Sequence, residues 1–580
     1  MTSIGRSSGV LVLVGSFAWA VVAACGNDNG STFGNGTDSG TETSKGPSFG
    51  DPDTGVGTGT FADFGMGAVI DTGDGGAGSA TTPANAADLF TAGTAAGGGD
   101  GGNGSSPCLA EPEIDSLVPR NWLRPRFSWA GSGGANLFEI RVHASNQTND
   151  LVVYTSATQW IMPRDIWTSF AMHSAGADIT ISIRGGTLAN GALTNVTQGS
   201  KGAWGVAPVD APGSIVYWYV DRNTKLGELK GFSVGDEDTR VVLAPSQVST
   251  QDGFHCVGCH TSTPDGDFAL LSSDKFVGMG RDYSIGISSI QTATIGQKPS
   301  YATDAAKTAM NDSMQGITST SAAFWATGKH YVFGTHEVDD NTVNLAVLNL
   351  DEPAAAKVLR PITTNKLRQG SLPSSPGISH DGKRIVFSGG GERDGRPSAS
   401  NDIYTIPFDD TNLTQDATLL AGASATDKNE YYPAFSPDDS LIAFTKTTDD
   451  DSYAAEHAEI SVITANGGTA QRLAANDPPT CSPPRTTGIE NSWPKWAPAG
   501  TSQRVNGKTY YWLVFSSTRN TATRDTNTKR QLFMAPVVVD EAGNISQYKA
   551  VYLWNQPPAE SNHTPAWDVF AIPPSTGGIK

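Results

Sequence analysis

From residue 260 onward the chain repeats itself, and that repetition limits the folds open to it. HTSTPDGDFALLSSD (260–274), SAAFWATGKHYVFGTHE (321–337), SPGISHDGKRIVFSGGG (375–391), YPAFSPDDSLIAFTKTT (432–448) and WPKWAPAGTSQ…YYWLVFSSTR (493–519) share one grammar. Each has a short strand, a tight turn at Asp-Gly or its equivalent, and a second apolar strand. A third strand follows in DIYTIPF (402–408), AEISVIT (458–464) and QLFMAPV (531–537). The turn positions Gly266, Gly328, Gly382, Asp439 and Gly500 lie 62, 54, 57 and 61 residues apart. Such turns need a residue that accepts positive φ, which glycine does at no steric cost. Sheets of three or four strands recurring at this period predict a β-propeller. The fold class expected is therefore all-β.

In YYPAFSPDDSLIAFT and SPGISHDGKRIVFS the repeats resemble those of TolB-type β-propellers, whose pattern is P-x-F-S-P-D-G-x-x-I-x-F. The resemblance covers about residues 213–575, close in two blades and looser in three. It implies six blades, or seven, spanning 213–580, and a partner bound across the mouth of the channel. NHTPAWDVF (562–570) reads as a final inner strand, and IVYWYVDRNTKLGELKGF (215–232) as strands that close the ring. No G-x-S-x-G elbow occurs, so the hydrolase that some propellers carry is not expected. The residues leave open whether the chain is an enzyme.

Upstream, three further segments are expected. Residues 9–24 form an apolar run ending Val22-Ala23-Ala24-Cys25, which resembles the lipobox of a bacterial lipoprotein and makes Cys25 the acylated residue. The alternative is an ordinary cleaved signal. Export to the envelope and a lipid anchor at the periplasmic face or outer membrane would follow. Residues 26–105 are mostly Gly, Asp, Thr, Ser, Asn and Ala, too polar to bury a core, and are expected to be a disordered tether. Residues 106–212 alternate apolar and polar positions between turn clusters. They predict a β-sandwich resembling a fibronectin type III or immunoglobulin-like module.

FHCVGCH (254–260) is the one motif with explicit chemistry. Cys-x-x-Cys-His is the attachment signature of c-type haem, with Cys256 and Cys259 as thioether donors and His260 as the proximal ligand. Export supplies the compartment in which that attachment occurs. A Cys256–Cys259 disulfide and a zinc site using His255 as well remain open. In register with the repeats, His260 falls where Pro433 sits, which places the cysteines in a loop before the blade's inner strand. His563 is the first candidate for the distal haem ligand, followed by Met310 and Met314, then Met279 and His255. His336 and His380 read as surface residues. The cysteines left over, Cys108 and Cys481, are expected to pair and tie the sandwich to the fourth or fifth blade.

The net charge of −19 repels phosphate backbones, so nucleic acid is not an expected partner. GGGERDG (389–395) lacks the helix a phosphate loop needs. Asp449–Asp451 and Asp409–Asp410 lack the ligand spacing of a calcium loop. Two functions fit these observations. One is electron transfer, or small-molecule redox chemistry, by a single haem c on the propeller. The other is a scaffold that binds an envelope protein or polysaccharide.

Overall fold

The computed structural model describes residues 64, 67–71, 81–95 and most of 106–572. The signal region with Cys25 lies outside the described residues, and among those described no helix is long and apolar enough to cross a membrane.

The strand pairing is that of a six-bladed propeller, so the expected architecture is observed. Blade 1 comprises Phe254–Ser262, Phe268–Val277 and Gly280–Ser289. Blades 2 to 5 begin with the inner strands Ser319–Ala326, Leu372–Ile378, Asn429–Phe435 and Asn491–Trp496, each followed outward by antiparallel partners. Blade 6 is assembled from both ends of the propeller segment. Its inner strand is Ser561–Asp568, and Ser214–Asp221, Leu226–Ser233 and Arg240–Leu243 lie outside it. The six inner strands contact one another in sequence, and the last returns to the first.

The turns are built as their residues demand. Gly266, Gly328, Gly382 and Asp439 all have positive φ, between 59° and 78°, whereas Gly500 lies outside the described residues. In three blades the chain turns on one device. The amides of Gly266, Gly382 and Asp439 donate to the carbonyls of Thr263, Ser379 and Ser436. The hydroxyls of the same three residues donate to Asp265, Asp381 and Asp438. These turns also bolt blades together: Tyr511 Oη donates to Asp438 at 2.8 Å, and the amides of His380 and Asp381 donate to Asp439.

Two sheets upstream form the sandwich. One has six strands, in the order Val69–Ile70, Leu151–Thr155, Leu137–Ala144, Ile179–Ala189, Ala192–Val206 and Leu117–Val118. The other has three: Cys108–Glu111, Arg126–Ala130 and Gln159–Ile161. Trp129 meets Phe138, and Phe127 meets Trp204, between the sheets. This core does not stop at the module boundary. It continues through Trp122 and Trp567 into Tyr217, Trp512 and Met534 of the propeller. The Cys108–Cys481 disulfide expected from cysteine parity is present, with a Cα–Cα distance of 5.4 Å. Cys481 lies between blades 4 and 5, so the bond links the sandwich to that part of the ring.

The tether requires a correction. Val69–Ile70 adds a parallel strand beside Val153 and Tyr154, and the helix Ala86–Ala92 packs Phe90 against Tyr154. Phe64 stacks on Phe170 of the sandwich. Parts of 26–105 are thus structured. Their few apolar side chains are buried on an existing surface, which lowers the area each segment must bury by itself.

Candidate functional site

Every inner strand breaks register at the same place, with an extra residue opposite its partner strand. In five of them that residue is a non-glycine with positive φ: Cys259 (23°), Ser375 (49°), Tyr432 (54°), Trp493 (63°) and Thr564 (45°). Such a conformation costs on the order of 1–3 kcal/mol per residue, and a bulge re-aims the side chain it carries. Proline follows in four blades, as Pro376, Pro433, Pro494 and Pro565. With no N–H to satisfy, proline suits the unpaired place beside a bulge. In blade 1 that place belongs to His260, as the repeat register predicts.

The Cys-x-x-Cys-His segment is therefore the inner strand of blade 1 itself, Phe254–Ser262, rather than a loop before it. The strand begins earlier than the repeat register suggested, because Phe254, Cys256–Gly258 and His260–Ser262 all pair with the strand Phe268–Val277. Cys256 is 3 % exposed and packs with Val216, Trp218 and Leu229. Cys259 is a half-buried free thiol, so the two cysteines do not pair with each other. Burial pushes the Cys259 thiol up, partly offset by a hydrogen bond with Ser272. His260 is 9 % exposed, and its Nε2 lies 3.1 Å from the Val216 carbonyl in blade 6. A carbonyl only accepts, so Nε2 carries the proton and Nδ1 is bare; no described residue reaches Nδ1. Burial, the largest cause, lowers the imidazole pKa to about 4, and the Lys495 charge adds to the effect.

The motif is packed closely against blade 6. The Cys256 sulfur lies so near Gly227 that a Cβ added there would come within 2.5 Å of it. The Trp218 indole occupies the space beside Gly258 and meets the His563 ring edge-on at 4.6 Å. It thus stands between the motif and the first distal candidate. Met310 is buried in a different cluster, with Leu270, Ala306 and Val332. Met314, Met279 and the side chain of His255 lie outside the described residues. Among those described, no three His, Cys, Asp or Glu side chains gather as metal ligands. Asp449 instead holds His457, and Asp409 accepts from Thr411. His380 pairs with Asp439 at 2.9 Å, joining blades 3 and 4, and is not a plain surface residue.

Two positions beyond each bulge lies a second ring of residues: Thr261, Ala323, Gly377, Ala434, Lys495 and Ala566. Five are small and one is a lysine. Lys495 is partly exposed, yet no described residue makes a hydrogen bond or an ion pair with its ammonium group. Desolvation lowers its pKa, and the more distant Asp568 carboxylate opposes that shift. Asp568 is itself pushed up by burial. Two residues back along the same strand, Trp493 stacks on Tyr432 of blade 4 at 3.6 Å, and both rings are partly exposed. Sequence reasoning missed Lys495. Aligning the repeats would have exposed it as the one charge in a column of Gly, Ala and Thr.

No family model matches this chain, and no curated protein sequence matches it. Solved structures do. A putative TolB from Agrobacterium tumefaciens shares 17 % identity over 61 % of this chain and 98 % of its own, with a TM-score of 0.29. A GH43_1 enzyme from Xanthomonas citri shares 12 % over 50 % and 91 %, with a TM-score of 0.27. Prolyl oligopeptidase B from Galerina marginata shares 12 % over 58 % and 42 %, with a TM-score of 0.29. The strand pairing makes the chain an all-β propeller.

Proposed function

We propose that this protein is a binding scaffold of the bacterial cell envelope, anchored by acylation of Cys25, whose propeller channel receives part of an envelope protein or polysaccharide. The supporting observation is the channel wall itself. A stacked Trp493–Tyr432 pair and Lys495, unpaired among the described residues, sit on a ring that closes through the two ends of the propeller segment. A closed ring of packed blades is a rigid frame, and rigidity lowers the ordering cost of binding.

The redox reading, one haem c at Cys256, Cys259 and His260 serving electron transfer or small-molecule chemistry, is the second proposal. It is favoured by the bare, buried Nδ1 of His260 next to the free thiol of Cys259. One experiment separates the two. The full chain is expressed in a host with haem-attachment machinery, and its pyridine haemochrome spectrum is compared with that of Cys256→Ala/Cys259→Ala. The scaffold reading expects no covalent haem in either protein. A haem c band that disappears in the variant would replace it with the redox reading.

A further inference from the structure

An unpaired ammonium group inside a protein is costly. Removing a cation from water without a partner disfavours its charged form, and Lys495 shows this in its lowered pKa. Among the described residues the usual remedies are absent. No described carboxylate is within ion-pair distance, and the Asp568 carboxylate accepts instead from the amide of Val569 at 2.9 Å. The five equivalent positions carry no side chain larger than threonine, so the lysine has no companions to fill the space. Lys495 also follows Trp493 by two residues on one strand, so a cation and a flat aromatic pair sit at adjacent levels of the ring.

We infer that Lys495 anchors a carboxylate in the channel, and that the Trp493–Tyr432 pair receives the flat apolar body carrying it. The carboxylate belongs to a small organic acid or to the C-terminus of a peptide. This inference rests on the channel being a binding site, and it adds the chemistry of the ligand. Binding an anion there restores the favourable charged state of the lysine, so part of the desolvation cost returns as affinity. Among the described residues, the titratable groups that feel the charge of Lys495 include His260, neutral above its lowered pKa, and Asp568. Neither supplies a second cation, which limits the site to one carboxylate.

Calorimetric titration of the full chain tests this with three probes: benzoate, N-acetylphenylalanine and N-acetylphenylalaninamide. The acids are expected to bind and the amide to bind at least tenfold more weakly. Lys495→Met should weaken the acids tenfold or more and leave the amide unchanged, while Lys495→Arg should retain them. Circular dichroism of each variant checks folding. Preference for N-acetylphenylalanine over benzoate assigns the ligand to peptide C-termini, and the reverse assigns it to small acids. Equal binding of acid and amide would overturn the carboxylate anchor. If that shared binding were then lost in Trp493→Ala, the channel reading would survive. Absence of binding by all three probes would overturn the carboxylate inference, while a polysaccharide or protein bound in a Trp493-dependent way would still support the channel.

Discussion

Blades 1 and 5 build the same inner strand from different chemistry. Blade 5 reads Ser492-Trp493-Pro494-Lys495-Trp496, with Trp496 Nε1 donating to the Ala434 carbonyl of blade 4 at 3.0 Å. Blade 1 reads Gly258-Cys259-His260-Thr261-Ser262, with His260 Nε2 donating to Val216 of blade 6. The bulge, its positive φ and its register are common to both. They differ in what each must hold. Blade 5 follows blade 4 in the chain, so connectivity keeps them adjacent. Blades 1 and 6 meet where the ring closes, and the inner strand of blade 6 comes from the far end of the sequence. Proline has no donor to offer across that seam, and histidine does. Where a proline relieves a bulge in the other blades, His260 in blade 1 also latches the seam.

The largest effect expected from breaking this comparison comes from Trp218→Ala. Its indole fills the seam between Gly258 and His563, and removing it should cost about 3–5 kcal/mol. A lower thermal midpoint and faster proteolysis would report the loss, and a midpoint within a degree of wild type would mean the seam is not packed as described. Next comes Cys108→Ser, expected to cost about 2–4 kcal/mol. Reducing agent should lower the wild-type midpoint at least as far.

Acid distinguishes the seams. The folded pKa of His260, about 4, lies below the usual histidine value near 6.5, so the unfolded chain takes the proton first. The stability this residue contributes is present above pH 6.5 and is lost as pH falls toward 4, by up to about 3 kcal/mol. Glu430, between blades 3 and 4, behaves in the opposite sense. Burial, the largest cause, lifts its carboxyl to about 7 despite the nearby Lys446. Its contribution is present below its unfolded value near 4.5 and is lost as pH rises through 7. In unfolding experiments between pH 4 and 7, His260→Gln should flatten the acid limb and Glu430→Gln the limb toward neutrality. An unchanged acid limb in His260→Gln would contradict the latch. The smallest effect is expected for Thr564→Gly, where removing a β-branched residue from a φ of 45° should stabilise by up to about 1 kcal/mol. A destabilised variant would show that the side chain earns more in contacts than its backbone costs.

Much of the ring was legible because its signals are local and repeated. The Asp-Gly turns, the inner strands and the closing role of 562–570 all follow from patterns a few residues long. The bulges were not legible, since a register break is a property of two strands. The cysteine motif was misplaced for a related reason: the repeat register located His260, but where the inner strand begins depends on its pairing with Phe268–Val277, and that pairing starts at Phe254. Val69–Ile70 and Ala86–Ala92 escaped notice because neither forms alone; each is ordered by the sandwich surface it covers.

The central claim is that His260 is sealed into the seam as part of the inner strand of blade 1. Its imidazole titration, followed by NMR in the full chain produced in a host able to attach haem, tests this most directly. The account predicts a neutral ring with the proton on Nε2 that takes up a second proton only near pH 4. A midpoint near 6.5, or an imidazole held by iron and silent to pH, would contradict it.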